Sequence, residues 1–151
     1  MATAILSIVM VALCAAVSGT IDSVRVNQNF VESSNKTKMS LSLVERTVRN
    51  AATVVLTSST RLDFVDEDGN VGAFTYVANE KALKMIHGSP AITSTLVRDI
   101  ESVQFRADSE PDPETRVIRI VRLTIDIAAN SDVAPQIFSS SVSPRRARSY
   151  Q

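Results

Sequence analysis

The first 21 residues carry no charged side chain. Met1 to Ile21 is rich in Ala, Val, Ile and Leu, and the first charges are Asp22 and Arg25. A helix of that length, rising about 1.5 Å per residue, spans roughly 30 Å, the hydrocarbon thickness of a bilayer. The remainder of the chain is polar enough for water. The chain therefore reads as residues 1–21, a transmembrane helix half; 22–56, the water-exposed continuation of that helix; 57–144, an antiparallel β head; and 145–151, a basic tail.

Removing the anchor from 151 residues leaves enough for one modest domain and not two. Lys+Arg and Asp+Glu stand at 16 each, so global charge points to no nucleic acid; the one basic block is Arg145, Arg146 and Arg148. With a single cysteine, Cys14, no disulfide can form within the chain.

Three readings of the apolar segment compete. A cleaved signal normally opens with positive charge, and none precedes Arg25. Its cleavage site would be the loose Ala15-Ala16-Val17-Ser18-Gly19. A lipoprotein signal would use Cys14, but Leu13 is bulky where a small residue belongs. A retained transmembrane helix fits the length best.

Nothing between Ile21 and Ala52 breaks a helix, since Pro and Gly are both missing there. Leu41, Val44, Val48 and Ala51-Ala52 follow the spacing of a helix buried on one side, so Leu41, Val44 and Val48 are expected to seat a sheet. Glu45 and Arg49 are placed to pair at i, i+4 on another face. Ser33-Ser34-Asn35 is the weakest stretch, with a bend or break expected.

After Thr53 the pattern turns to strands. Arg61 to Val65 alternates, Asp66-Glu67-Asp68-Gly69-Asn70 supplies turn chemistry, and Val71 to Ala78 returns. Ala82 to His87 forms a third strand ended by Gly88-Ser89-Pro90. Ala91 to Arg98 reads as a connector and Ser102 to Ala107 as a strand. Ser109 to Glu114 is expected to be a mobile acidic loop, because two prolines and three acids suit a sheet poorly. Arg116 to Ile127 is the strongest strand, with Val121, Leu123, Ile125 and Ile127 facing one way. Asn130-Ser131-Asp132 turns the chain into a last strand, Gln136 to Val142. The class is α+β: a long N-terminal helix on an antiparallel sheet.

No constellation for catalysis, a cofactor or a metal emerges. His87, the only histidine, reads as a polar strand-end residue. One Cys and one His fall short of a zinc set. Asp66 to Asn70 has its glycine too early for an EF-hand, and Val77 stands at the bidentate glutamate position, so a hairpin turn is the reading. Asn35-Lys36-Thr37 matches a glycosylation acceptor by chance. Cys14, Met10 and Met39 read as packing residues.

The order of these segments resembles the type IV pilin-like family. Ala2-Thr3-Ala4-Ile5-Leu6-Ser7-Ile8-Val9 is similar to the opening of its apolar helix entered part-way, with Met1 where a valine is usual. A GTG codon read as a start would explain that exchange, so the reading frame is expected to extend upstream. The family's cleavage-site glycine, aromatic and glutamate do not occur in this sequence. Leu43-Val44-Glu45-Arg46-Thr47-Val48-Arg49 is similar to a Leu-x-Arg-x-x-Arg segment. Leu62-Asp63-Phe64 through Phe74-Thr75-Tyr76-Val77, Leu96 to Phe105, and Phe138 to Arg145 resemble the later strands and the Pro-Arg finish of one branch, the minor pseudopilins resembling component J of type II secretion and the W-type minor pilins.

The resemblance implies a pilin-like fold and a structural rather than enzymatic role. The chain would be a single-pass bacterial inner-membrane subunit with its C-terminal domain in the periplasm. Its partners would be other minor and major pilin-like subunits at a filament tip, with no direct contact to nucleic acid. Ala4, Ile5, Ile8, Val11, Ala12 and Ala15 are the expected helix–helix packing residues of that filament, being small or branched. The alternative is a secreted or anchored β-rich binding module with a cleaved signal.

Overall fold

The structure, a computed structural model, describes residues 2–111, 118–129 and 136–144; of residues 2–9, 11, 12, 29, 118 and 119 it describes the backbone only. By internal contacts the chain divides into Met1–Ser34 and Asn35–Gln151. Helix α1 covers Ala2–Asn50, 49 residues. Eight strands come after it: β1 (Thr53–Ser58), β2 (Arg61–Val65), β3 (Val71–Val77), β4 (Ala82–His87), β5 (Ile92–Val97), β6 (Ile100–Pro111), β7 (Ile118–Ala129) and β8 (Gln136–Val142), with a 3-10 turn at Ala78–Glu80.

In the first unit, Met10, Leu13, Val17, Ile21, Val24, Val26, Phe30 and Val31 are all exposed. Among the described residues no helix is long and apolar enough to cross a membrane; the side chains of Ala4, Ile5, Ile8, Val11 and Ala12 lie outside them.

The second unit is an α+β head. Strands β1 to β5 form a five-stranded antiparallel meander in chain order, and β6 to β8 a three-stranded one. Alternation along β2, β3 and β4 sends Leu62, Phe64, Phe74 and Leu83 to one side. There they join Ile100, Val103, Phe105, Leu123, Ile125 and Ile127 of the second sheet, Leu41, Val44 and Val48 from α1, and Ala51 just after it, in one core. The helix thus closes on both sheets with the stripe that its 3-4 spacing created.

Backbone bonds also join the sheets. Phe105 N donates to Ser59 O at 2.7 Å and Ile100 N to Lys81 O at 3.1 Å. The Tyr76 hydroxyl on β3 donates to Glu101 O at 2.6 Å.

Several expectations are corrected. The helix does not continue to residue 56: it ends at Asn50, and Thr53-Val54-Val55, three β-branched residues, open β1 against β2. Ser33, Ser34 and Asn35 are helical rather than a break. Ala91 to Arg98 is not a connector, since Ile92–Val97 pairs with β4. Ser109, Glu110 and Pro111 belong to β6, an edge strand of its sheet, and Pro111 is its last residue, a position where proline is tolerated. The rest of that acidic stretch, residues 112–114, lies outside the described residues, as do residues 116 and 117, the Asn130-Ser131-Asp132 turn and the basic tail.

Val121 is the most instructive miss. The β6–β7 register passes from Asp108↔Arg122 to Ser109↔Ile120, so Val121 is the extra residue of a bulge. It is exposed, and Ile120 packs against the core in its stead. One inserted residue reverses the parity of a strand.

Candidate functional site

Two polar clusters on the head reach beyond a single strand pair; a smaller one joins Asp63 to Thr57 and Arg61 on β1 and β2. At the β2–β3 turn, Asp66 Oδ1 accepts from the backbone N–H groups of Asp68 (2.9 Å) and Asn70 (2.8 Å), while Oδ2 accepts from Asn70 Nδ2 (3.0 Å). Gly69 takes a φ of +84°, which the tight turn requires and which favours glycine. His87, last residue of β4, brings Nε2 to 3.2 Å from Asp66 Oδ2 and stacks its ring against Phe64, centroids 6.0 Å apart. The Asn70 side-chain amide first and then the Asn70 backbone N–H hold the Asp66 carboxyl below the usual carboxylate range against desolvation, with lesser help from His87 and the Asp68 N–H. This is a turn-closing arrangement. Among the described residues no group of three or more His, Cys, Asp or Glu is placed to hold a metal ion.

The outer face of the second sheet carries the other. Arg106 Nη2 donates to Asp126 Oδ2 at 2.8 Å, and Ser139 Oγ to Asp126 Oδ1 at 2.5 Å, linking β6, β7 and β8. These are cross-strand pairs on an exposed surface, and they stabilise the sheet modestly.

Helix α1 is anchored to the head by polar groups as well as by its core stripe. The buried Ser40 hydroxyl lies 2.9 Å from Lys36 O and 3.0 Å from Leu96 O, its one proton shared between them. Leu96 is the extra residue of a second bulge, where the register passes from Leu83↔Val97 to Lys84↔Thr95. The bulge turns the Leu96 carbonyl toward the helix and covers that end of an edge strand. Glu45 is not paired with Arg49: it faces inward and accepts from Ser140 Oγ of β8.

Of the residues singled out from sequence, Leu41, Val44 and Val48 lie together in the core between helix and sheets. Ala15 and Cys14 are exposed. Ala4, Ile5, Ile8, Val11 and Ala12 lie outside the described side chains. Met10 and Met39 do not pack within the chain, being 67% and 72% exposed. Sequence reasoning missed Ser40, Tyr76 and Ser140, the polar ties between elements. Their signal is faint, because a hydroxyl on a helix or strand does not reveal its acceptor until the fold supplies one.

The largest unexplained feature is therefore an apolar surface rather than a cleft. Within the first unit, eight large apolar side chains between Met10 and Val31 are exposed; Met39 and Leu43 are exposed on the part of the helix that belongs to the second unit. Single exposed apolar residues are ordinary; a run of them along one helix marks a surface that something else covers. No protein-family model matches the chain, and no curated protein matches it in sequence.

Proposed function

We propose that this chain is a minor pseudopilin, a structural subunit of a type II secretion or type IV pilus-like filament. The observation that carries the reading is one helix with two employments. Its last turns supply Leu41, Val44 and Val48 to the head's core. Its first turns, from Ala2 to Ile21, carry no charged side chain, and the side chains described there are exposed. A self-contained globular domain has no use for such a segment, whereas a subunit held in a membrane and then packed into a filament does.

In this role the first half of the helix spans the bacterial inner membrane and the head stands in the periplasm. On extraction the apolar helices pack together, with Ala4, Ile5, Ile8, Val11, Ala12 and Ala15 in their contacts, and the head meets other minor subunits at the filament tip. The work is packing and register, with no bond made or broken. In the resembled family a glutamate near the mature N-terminus meets a neighbour's amine, and a carboxylate at bilayer depth is costly unless it finds such a cation.

The test is the N-terminal sequence and intact mass of the native protein from the host membrane fraction. An N-methylated aromatic residue, a few residues further, then Ala2-Thr3-Ala4 is the expected result. A mature chain beginning near Ser18 in the soluble fraction would overturn it in favour of a secreted binding module. Deletion should also abolish secretion or piliation.

A further inference from the structure

Met10, Cys14, Val17, Ile21, Val24, Gln28 and Val31 succeed one another at alternating steps of 4 and 3. All seven are exposed in the structure, and all but Gln28 are apolar. Alternating 4-3 spacing is a 3.5-residue repeat, the period of a helix packed along a left-handed supercoil against another helix. Lipid imposes no such period. The seam also runs past Asp22 and Arg25, the first charges, to Gln28 and Val31; those charges stand off it.

We propose that this seam pairs with the same seam of a second copy of this chain, parallel and in register. In heptad terms Cys14, Ile21 and Gln28 occupy a, and Met10, Val17, Val24 and Val31 occupy d. In-register pairing sets Gln28 against its own counterpart, and two side-chain amides satisfy each other by reciprocal donation and acceptance. A single polar residue at an a position fixes register in this way. Across the flanks, Thr20 faces the second copy's Arg25 and Asn27 faces the second copy's Glu32. Thr20 Oγ1 already donates its proton to Ala16 O at 2.9 Å, so its oxygen is left to accept from a guanidinium. Asn27 has amide protons to donate to a carboxylate. No like charges oppose each other, so the identical sequence is its own polar complement. The parallel orientation rests on the membrane-held N-terminus proposed above; the seam itself does not.

The test is oxidative cross-linking of the full chain in its native membranes with copper–phenanthroline, in a Cys14→Ser background. Val24→Cys lies on the seam and Ser23→Cys beside it on the opposite side of the helix. A disulfide forms only when two Cα atoms come within about 7 Å. Val24→Cys should give a species of twice the chain mass, several-fold more than Ser23→Cys. Gln28→Lys added to Val24→Cys should suppress it by setting two cations face to face. Equal yields from both cysteines, no dimer, or adducts containing only other proteins would overturn the proposal. Both positions lie beyond Ser18, so both cysteines survive cleavage near Ser18, which would remove only Met10, Cys14 and Val17 from the seam. A Val24 dimer from a chain without a pilin-type N-terminus would keep the seam and remove the filament reading.

Discussion

The Phe64 ring lies across Gly72 on the neighbouring strand. A Cβ at Gly72 would stand 2.3 Å from the ring's Cζ, far inside van der Waals contact. Phe64 is buried and also stacks on Phe74, centroids 5.1 Å apart, so its ring has nowhere to retreat. Gly72→Ala should destabilise the head by about 1–3 kcal/mol, the usual penalty for overpacking, read as a lowered denaturation midpoint. A midpoint equal to the parent's would show that the ring can move.

The core and the outward side of the later helix should respond oppositely to truncation. Leu62 is fully buried, and Leu62→Ala should cost about 2–5 kcal/mol through lost burial and a residual cavity. Met39→Ala should fall within about 0.5 kcal/mol, as exposed substitutions do. Urea unfolding of the two variants under matched conditions decides it.

Ser40→Ala removes the hydroxyl that the Leu96 carbonyl accepts from. A net hydrogen bond contributes about 0.5–1.5 kcal/mol, and a partner left unsatisfied raises the loss. The expected signature is local: faster amide exchange in β5 near Leu96 than in β2 or β3.

The turn at Asp66 should be sensitive to acid. Its carboxyl titrates below the ordinary carboxylate value in the folded chain. Its contribution is therefore fully present above the unfolded pKa, about 4, and lost as pH falls through the lower folded value. Asp66→Asn should flatten that part of the stability–pH curve, and protection of the Asn70 amide should fall with acid in the parent but not in the variant.

Much of the head was legible because its strands alternate cleanly. Leu62 and Phe64, Phe74, and Leu123 to Ile127 repeat with a period of two, and the turn between β2 and β3 is written in Asp, Gly and Asn. The stripe of Leu41, Val44 and Val48 was equally plain. What escaped was whatever depends on a partner strand. Ile92 to Val97 has little apolar contrast, and its pairing with β4 makes it a strand. Val121 and Leu96 are bulge residues, and a bulge is a relation between two strands that neither shows alone. The polar ties of Ser40, Tyr76 and Glu45 belong to the same class. The candidate surface was half legible: the apolar run announced itself, while the phase that sets Val24 and Val31 on one side with Val17 needed the helix to be continuous through Asp22 and Arg25.

The bonds from Phe105 to Ser59, from Ile100 to Lys81 and from Tyr76 to Glu101 set an order of events on a growing chain. Each joins residues far apart in sequence, and the core that they enclose is finished only by Phe138 and Val142 on the last strand. Most of the polypeptide must therefore be made before the head can close, and until β8 arrives Glu45 waits for Ser140. A chain that stops at Ala129 would carry α1 and both β6 and β7 yet leave one flank of its interior wet. Proteases and chaperones would meet it there.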